Sequence, residues 1–383
     1  MHRIYFDHAA TTATDPLVVE AMLPYFTEKW GNPSSLHAFG QEAHAAMDEG
    51  RKRVAALVGA KPDEMVFTAG GSEADNLAIK GVAMAAGKGH IITSSIEHPA
   101  VLNTCKYLEA RGFEATYLPV DKEGIVSPQD VAEAIRKDTI LITVMHSSNE
   151  IGALEPIEEI GKMASERGIT FHTDAVQSVG KMPLDPRKMG AALVSMASHK
   201  IYGPKGIGAL YVPKGMRIEP LMHGGGHERG LRSSTENVPG IVGFGKAAEL
   251  ALARMDTDIP RIQKMRDRII DGILGSVPDA YLNGPRARRL PNNAHFRFSF
   301  IEGESLLLML DMAGIAASTG SACSSKSLKA SHVLLAIGLS PQEAHGSLRI
   351  TLGRGNTDDE VKYFLEECPR VVESLRKMSP LGR

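Results

Sequence analysis

Between residues 62 and 212 the chain alternates short apolar runs with amphipathic stretches, and this alternation constrains the fold more than any other feature. Runs at 64–69, 90–95, 114–119, 139–146, 168–173, 192–196 and 208–212 have the length and character of strands. Several of the intervening stretches are helical in pattern; 128–136 and 156–167 each carry a proline near the first turn and an arginine in the last. Strand, helix and strand at this spacing predict an α/β fold with a mostly parallel, seven-stranded sheet covered by helices on both faces. Ligands of such sheets bind at the carboxyl edge, where strands end and loops begin. Residues just after each apolar run are therefore the first candidates for chemistry.

Beyond residue 250 the pattern changes. A charged helical stretch (254–274) precedes a strand-like 295–300, a helical 305–313 and a Gly/Ser/Ala-rich segment around Cys323. This predicts a smaller α+β domain with its boundary at 253–260. The expected division is a large domain of residues 15–255 and a small one built from 1–14 and 256–383. A chain of 383 residues suits two domains and needs no staple to bury its core. Its three cysteines, Cys105, Cys323 and Cys368, are too scattered for a disulfide framework or a metal knot and fit a reducing compartment. A net charge of −2 argues against a direct nucleic-acid partner. No uncharged apolar run approaches the ~18 residues of a membrane span, and the first residues lack a signal-peptide pattern. A cytoplasmic protein is expected.

The stretch Phe67-Thr68-Ala69-Gly70-Gly71-Ser72-Glu73 ends a strand in two glycines and opens a helical pattern. Free N–H groups there, with the Ser72 hydroxyl, would cradle a phosphate; a plain turn capped by Ser72 is the alternative. Asp174 stands where the run 168–173 ends, and Lys200 follows 192–196 ahead of Gly203-Pro204-Lys205-Gly206. Apolar surroundings free a lysine amine for Schiff-base chemistry. An acid one strand away favours the protonated form of a ring nitrogen. Pyridoxal phosphate needs both groups from a protein. Taken singly they read as a surface lysine and a capping acid; the pair at two strand ends carries the argument.

Cys323 lies among Ser, Thr, Gly and Ala in 318–327, with no apolar run to bury it, as a nucleophilic thiol requires. Cys105 and Cys368 fall in helical patterns and are expected to pack as small hydrophobes. His223 and His227 beside Glu228 superficially suggest zinc. Three glycines between them deny a rigid helix, and no metal site is expected there.

These residues sit within longer matches: Asp7-His8-Ala9-Ala10-Thr11-Thr12, Gly31-Asn32-Pro33-Ser34-Ser35, Asn149-Glu150-Ile151-Gly152, Ser198-His199-Lys200-Ile201-Tyr202-Gly203-Pro204-Lys205-Gly206, Ser318-Thr319-Gly320-Ser321-Ala322-Cys323 and Arg349-Ile350-Thr351-Leu352-Gly353-Arg354. Together they resemble the pyridoxal-phosphate cysteine desulfurases of the IscS/NifS type, nearly end to end. The resemblance implies a fold-type-I architecture and conversion of L-cysteine to L-alanine, with the sulfur left on Cys323 as a persulfide. It implies that Lys200 carries the cofactor and moves the substrate Cα proton, that Asp174 pairs with the ring nitrogen, and that His98 stacks on the ring and assists proton transfer. Asn149 and Gln177 would surround the ring, and Gly71, Ser72, Ser198 and His199 the phosphate. Thr235 would reach the cofactor phosphate of a partner subunit in a homodimer, and Arg349 would bind the substrate carboxylate together with Asn149. The expected sulfur acceptor is an iron–sulfur scaffold or a tRNA-thiolation protein, and beside a docked scaffold Cys323 would be able to ligate a nascent cluster. In one departure, Ala197 stands where the family carries a serine, which removes one phosphate hydrogen bond. The alternatives are a selenocysteine lyase, another fold-type-I enzyme, or a non-catalytic sulfur-relay platform.

Overall fold

The computed structural model of the chain describes residues 3–320 and 330–379. Its strands are β1 (Ile4–Tyr5), β2 (Met65–Thr68), β3 (His90–Ser94), β4 (Glu114–Leu118), β5 (Thr139–Thr143), β6 (Thr170–Asp174), β7 (Leu193–Ala197), β8 (Gly208–Tyr211), β9 (Ala280–Leu282), β10 (Asn293–Phe298), β11 (Ile315–Ala316) and β12 (Ser347–Thr351). Each of the seven apolar runs of the first half is a strand, trimmed by a few residues. Together they form one sheet in the order β2-β8-β7-β6-β5-β3-β4. Neighbours from β4 to β7 run parallel, and β8 is antiparallel to both β2 and β7. Strand order reverses at β3, which has β4 on one side and β5 on the other. A crevice opens at such a reversal, outside the carboxyl ends of the strands.

Helices cover both faces because both faces are apolar. On one, Val54, Val58, Phe67, Ile92, Val194, Ile241 and Phe244 are buried together with the helices Ala38–Leu57 and Val238–Ser276. These two helices meet at a glycine contact: a methyl on Gly245 would lie 2.6 Å from the Gly50 Cα. On the other face, Leu77, Ile79, Val101 and Cys105 pack on Ile91, Leu141 and Leu210. Cys105 is fully buried, as expected.

A separate cluster joins Ile4 and Phe6 to Met265, Ile269, Phe296, Phe298, Leu306, Ile350, Phe364 and Cys368. Its strands form an antiparallel sheet ordered β12-β10-β9, while β1 pairs with β11. The stretch 253–260, read in the sequence as a boundary, is unbroken helix: Val238–Ser276 runs through it with Pro260 inside. Proline lacks a donor and normally interrupts a helix, yet the helical stretch read at 254–274 continues through Pro260.

Candidate active site

The carboxyl edge of the sheet gathers the side chains singled out above. Lys200 ends the short turn Ser198–Lys200 that follows β7. Its Nζ donates to the Ala10 carbonyl at 2.8 Å and to the Ala9 carbonyl. Asp174 is the last residue of the neighbouring β6 and is buried. The Val176 N–H donates to its Oδ1 at 2.9 Å. Burial pushes the Asp174 carboxyl above its ordinary range, opposed by His98 and Lys200. His98 caps the helix Pro99–Glu109, where its Nδ1 accepts the Ala100 N–H at 3.1 Å. Burial also lowers its pKa, so the ring is neutral with Nε2 carrying the proton.

Gly70 is the N-cap of the helix Gly71–Ala86 and offers no side chain, so Ser72 is not the cap. Its hydroxyl is left for another partner. A methyl on Gly71 would stand 2.7 Å from Val176 Cγ2 and 3.6 Å from Ala197 Cβ. This position favours glycine because the Val176 side chain, in the turn that follows β6, packs directly against it. His199 holds Thr11 Oγ1 at 3.1 Å through Nδ1, and burial keeps its pKa down at about 4. Ser198 is fully buried and its Oγ has no partner among the described residues. Gln177 Nε2 donates to the Ala9 carbonyl at 2.9 Å.

Arg349 lies on β12 with its guanidinium at the same edge. Nη1 donates to the carbonyls of Asn149 at 2.9 Å and Gly320 at 3.0 Å, and Nη2 to Asp7 Oδ1 at 2.7 Å. Its Nε is buried without a partner among the described residues. Thr235 stands apart from this cluster, exposed in a surface hollow with Thr68, Gly206 and Arg232. Cys323 lies outside the described residues. Glu228, the acid beside the two histidines, receives Arg51 at 2.6 and 2.8 Å and the Phe67 N–H at 2.8 Å. It is a structural ion pair.

Three participants went unremarked in the sequence. Asp75 is fully buried, and its ligand-bearing oxygen lies within 4.8 Å of those of His98 and Asp174. The signal was a carboxylate inside the apolar run of a helix. Asp7 appeared only as part of a motif, and it orients Arg349. Lys181 donates to Gln177, and nothing in its local sequence marked it.

Comparison with known proteins places this edge. Residues 4–364 match the family model Aminotransferase class-V. The chain is 54% identical to Cysteine desulfurase IscS of Dictyoglomus turgidum over 98% of this chain and 96% of that protein. It is equally similar to Cysteine desulfurase IscS of Methanosarcina thermophila, over 99% and 94%. The chain belongs to the class-V aminotransferase family, among its cysteine desulfurases. A solved NifS-like protein superposes with a TM-score of 0.91 at 38% identity, covering 97% of this chain and all of the other. A structure described as SspA in complex with cysteine gives 0.82 at 41%, over 92% of this chain and all of the other. In this cysteine desulfurase of fold type I, Asp174 ends β6 and Lys200 follows β7, at the carboxyl edge to which the strand pattern pointed. No helix among the described residues is long and apolar enough to cross a membrane.

Proposed function

We propose that the chain is a pyridoxal-phosphate-dependent cysteine desulfurase that passes the sulfur of L-cysteine to Cys323 and releases L-alanine. The observation that carries this reading is the convergence at the sheet's carboxyl edge of Lys200, after β7, with Asp174, at the end of the adjacent β6, and His98, whose ring nitrogen lies within 4.8 Å of an Asp174 oxygen. The residues present fit the cofactor. Ser72 stands in the first turn of the helix Gly71–Ala86, whose free N–H groups suit a phosphate, Ser198 Oγ is buried with no partner among the described residues, and Asp174 is a buried carboxylate suited to a cationic ring nitrogen. When bound, pyridoxal phosphate supplies an electron sink for the carbanion formed at the substrate Cα.

The chain's own residues do the rest. Lys200 binds the cofactor and then removes and returns the Cα proton. His98, neutral with Nε2–H available, assists proton transfer. Gly71, Ser72, Ser198 and His199 hold the phosphate, while Asn149 and Gln177 border the ring. Arg349 receives the carboxylate of L-cysteine: a buried guanidinium with an unpartnered Nε has a donor to spare for a planar anion. The Cys323 thiolate attacks the substrate sulfur. The S–S bond forms as the C–S bond breaks, its electron pair leaves with the three-carbon fragment, and that fragment takes up protons to become alanine.

An apolar face supports a homodimer in which Thr235 serves the partner's site. Leu23, Phe26, Trp30, Leu36 and Phe39 are all exposed, Leu36 to 91%, and such a patch marks an association surface. The division into a large domain (15–255) and a small one (1–14 and 256–383) is supported by two hydrophobic clusters, one on each side of it, while another packs Ile96, Met145 and Ile151 against Val333, Leu334 and Ile337 across it. We assign the persulfide, in the cytoplasm, to an iron–sulfur scaffold or a tRNA-thiolation acceptor. The test is alanine release from L-cysteine with a reductant present. Wild type should release alanine, and Cys323→Ala and Lys200→Ala almost none. Equal release from wild type and Cys323→Ala would remove Cys323 from the reaction.

A further inference from the structure

A chain of hydrogen bonds links Lys200 to a second lysine. Lys181 Nζ donates to the Gln177 carbonyl at 3.0 Å and to Gln177 Oε1 at 3.2 Å. With Oε1 committed, Gln177 Nε2 faces the Ala9 carbonyl at 2.9 Å, and the same carbonyl accepts from Lys200 Nζ. Both lysines line one cavity of about 50 Å³ between the sheet edge, the helix Val238–Ser276 and the segment after β12.

Among the described residues no carboxylate forms an ion pair with Lys181, and Glu360 acts on the neighbouring His8. His8 is neutral, its pKa lowered to about 4 by burial, and Tyr202 is neutral because burial raises its pKa. From the long helix, Asp258 sits 3.6 Å from Arg261, and Arg254 adds another cation. Arg354 is paired with Asp15. Asp7 is committed to Arg349. Asp174 and His98 act on Lys200, and His199 is neutral. Burial, with Lys200 and Arg349 as further causes, brings the Lys181 pKa down to about 7.

We propose that Lys181 is a positioning residue for Lys200: a second amine lining the same cavity that fixes the Gln177 amide and favours the neutral, nucleophilic form of the cofactor lysine. Two ammonium groups in a poorly solvated cavity repel, so the pair holds fewer than two protons near neutrality. A neighbouring cation is an established way to activate a Schiff-base lysine. This rests on the reading of Lys200 as the residue that binds the cofactor.

The test uses the full chain stripped of cofactor and returned to pyridoxal phosphate at a series of pH values. Captured cofactor is fixed by borohydride and located by peptide mass spectrometry. Lys181→Met and Lys181→Gln should each move the pH profile of capture at Lys200 up by about one unit, making capture about tenfold slower at pH 7 and unchanged at pH 10. Lys181→Arg, charged at every pH, should place the profile at or below that of wild type. Coincident profiles for all variants overturn the proposal, as does a wild-type profile for Lys181→Gln alone, which would leave only hydrogen bonding to Gln177. If Lys181→Met does not fold, Lys181→Gln against Lys181→Arg carries the comparison. Capture by wild type at a lysine other than Lys200 would instead sink the reading of Lys200, and it is seen without any Lys181 variant.

Discussion

Asp7 Oδ1 accepts from Arg349 Nη2 at 2.7 Å across 342 positions of sequence, joining the segment after the first strand to the last. Arg349 is 2% exposed and Asp7 17%, so the pair is largely shielded from solvent. Removing one partner of such a pair leaves an uncompensated charge and costs about 3–5 kcal/mol when burial is complete. Asp7→Asn should therefore lower the urea midpoint while raising KM for L-cysteine, since Arg349 loses its anchor. Arg349→Lys should raise KM by about one to two orders of magnitude, because an ammonium cannot reproduce the planar fork. An unchanged KM for Arg349→Lys would remove it from the carboxylate site.

Gly71→Ala places a methyl where Val176 Cγ2 stands 2.7 Å away. Overpacking of this kind costs about 1–3 kcal/mol. The larger effect should fall on the cofactor, with retention during gel filtration reduced about tenfold or more at the corresponding 1.4 kcal/mol per decade. Equal retention by the variant would show that this space is not part of the phosphate cradle.

Ala197→Ser restores the hydroxyl that the family pattern carries at this position. Ala197 is 1% exposed, so the cofactor-free variant should be destabilised by about 1–3 kcal/mol for an unmatched hydroxyl. With pyridoxal phosphate bound the sign should reverse, and dissociation should slow about fivefold, as one added hydrogen bond of ~1 kcal/mol implies. Melting curves with and without the cofactor read both signs in one experiment.

Glu97 is fully buried, and burial pushes its pKa up to about 8. The Ser94 hydroxyl donates to its Oε1 at 2.6 Å and the Met145 N–H at 2.8 Å. The folded state holds this proton to about pH 8, whereas the unfolded chain loses it near pH 4 to 5. The contribution of Glu97 to stability is therefore full below about pH 4 and falls as the pH rises to 8. Glu97→Gln keeps an Oε1 acceptor and removes the titration. Its stability should decline less steeply than that of wild type between pH 5 and 8, as urea midpoints at each pH would reveal.

The sheet was legible because each strand is a compact apolar run, and the run lengths set both strand position and the places where loops begin. Asp174 and Lys200 were legible for the same reason: each is a polar residue set at the end of such a run. The floor beneath Lys200 was not. It is made by the carbonyls of Ala9 and Ala10, some 190 residues away, and a backbone acceptor leaves no trace in the identity of its residue. The helical pattern at 254–274 was legible despite Pro260, and buried Met255 and Met265 on either side pack the helix that runs through it. Asp75 was hidden by its helical register, which buries a carboxylate among alanines and leucines beneath the site.

The helix Val238–Ser276 spans 39 residues, about 59 Å at 1.5 Å per residue. Its first half contributes Ile241, Phe244 and Ala248 to the core under the sheet, and its second half gives Met265, Ile269 and Ile273 to the core around β10 and β12. It works as a single axle shared by two wheels. A chain with a slack tether between its halves can melt one and keep the other; here, loss of either core strips one end of a common rod. The Arg349 side of the site and the Lys200 side are thereby held in mutual register by covalent continuity as well as by contact.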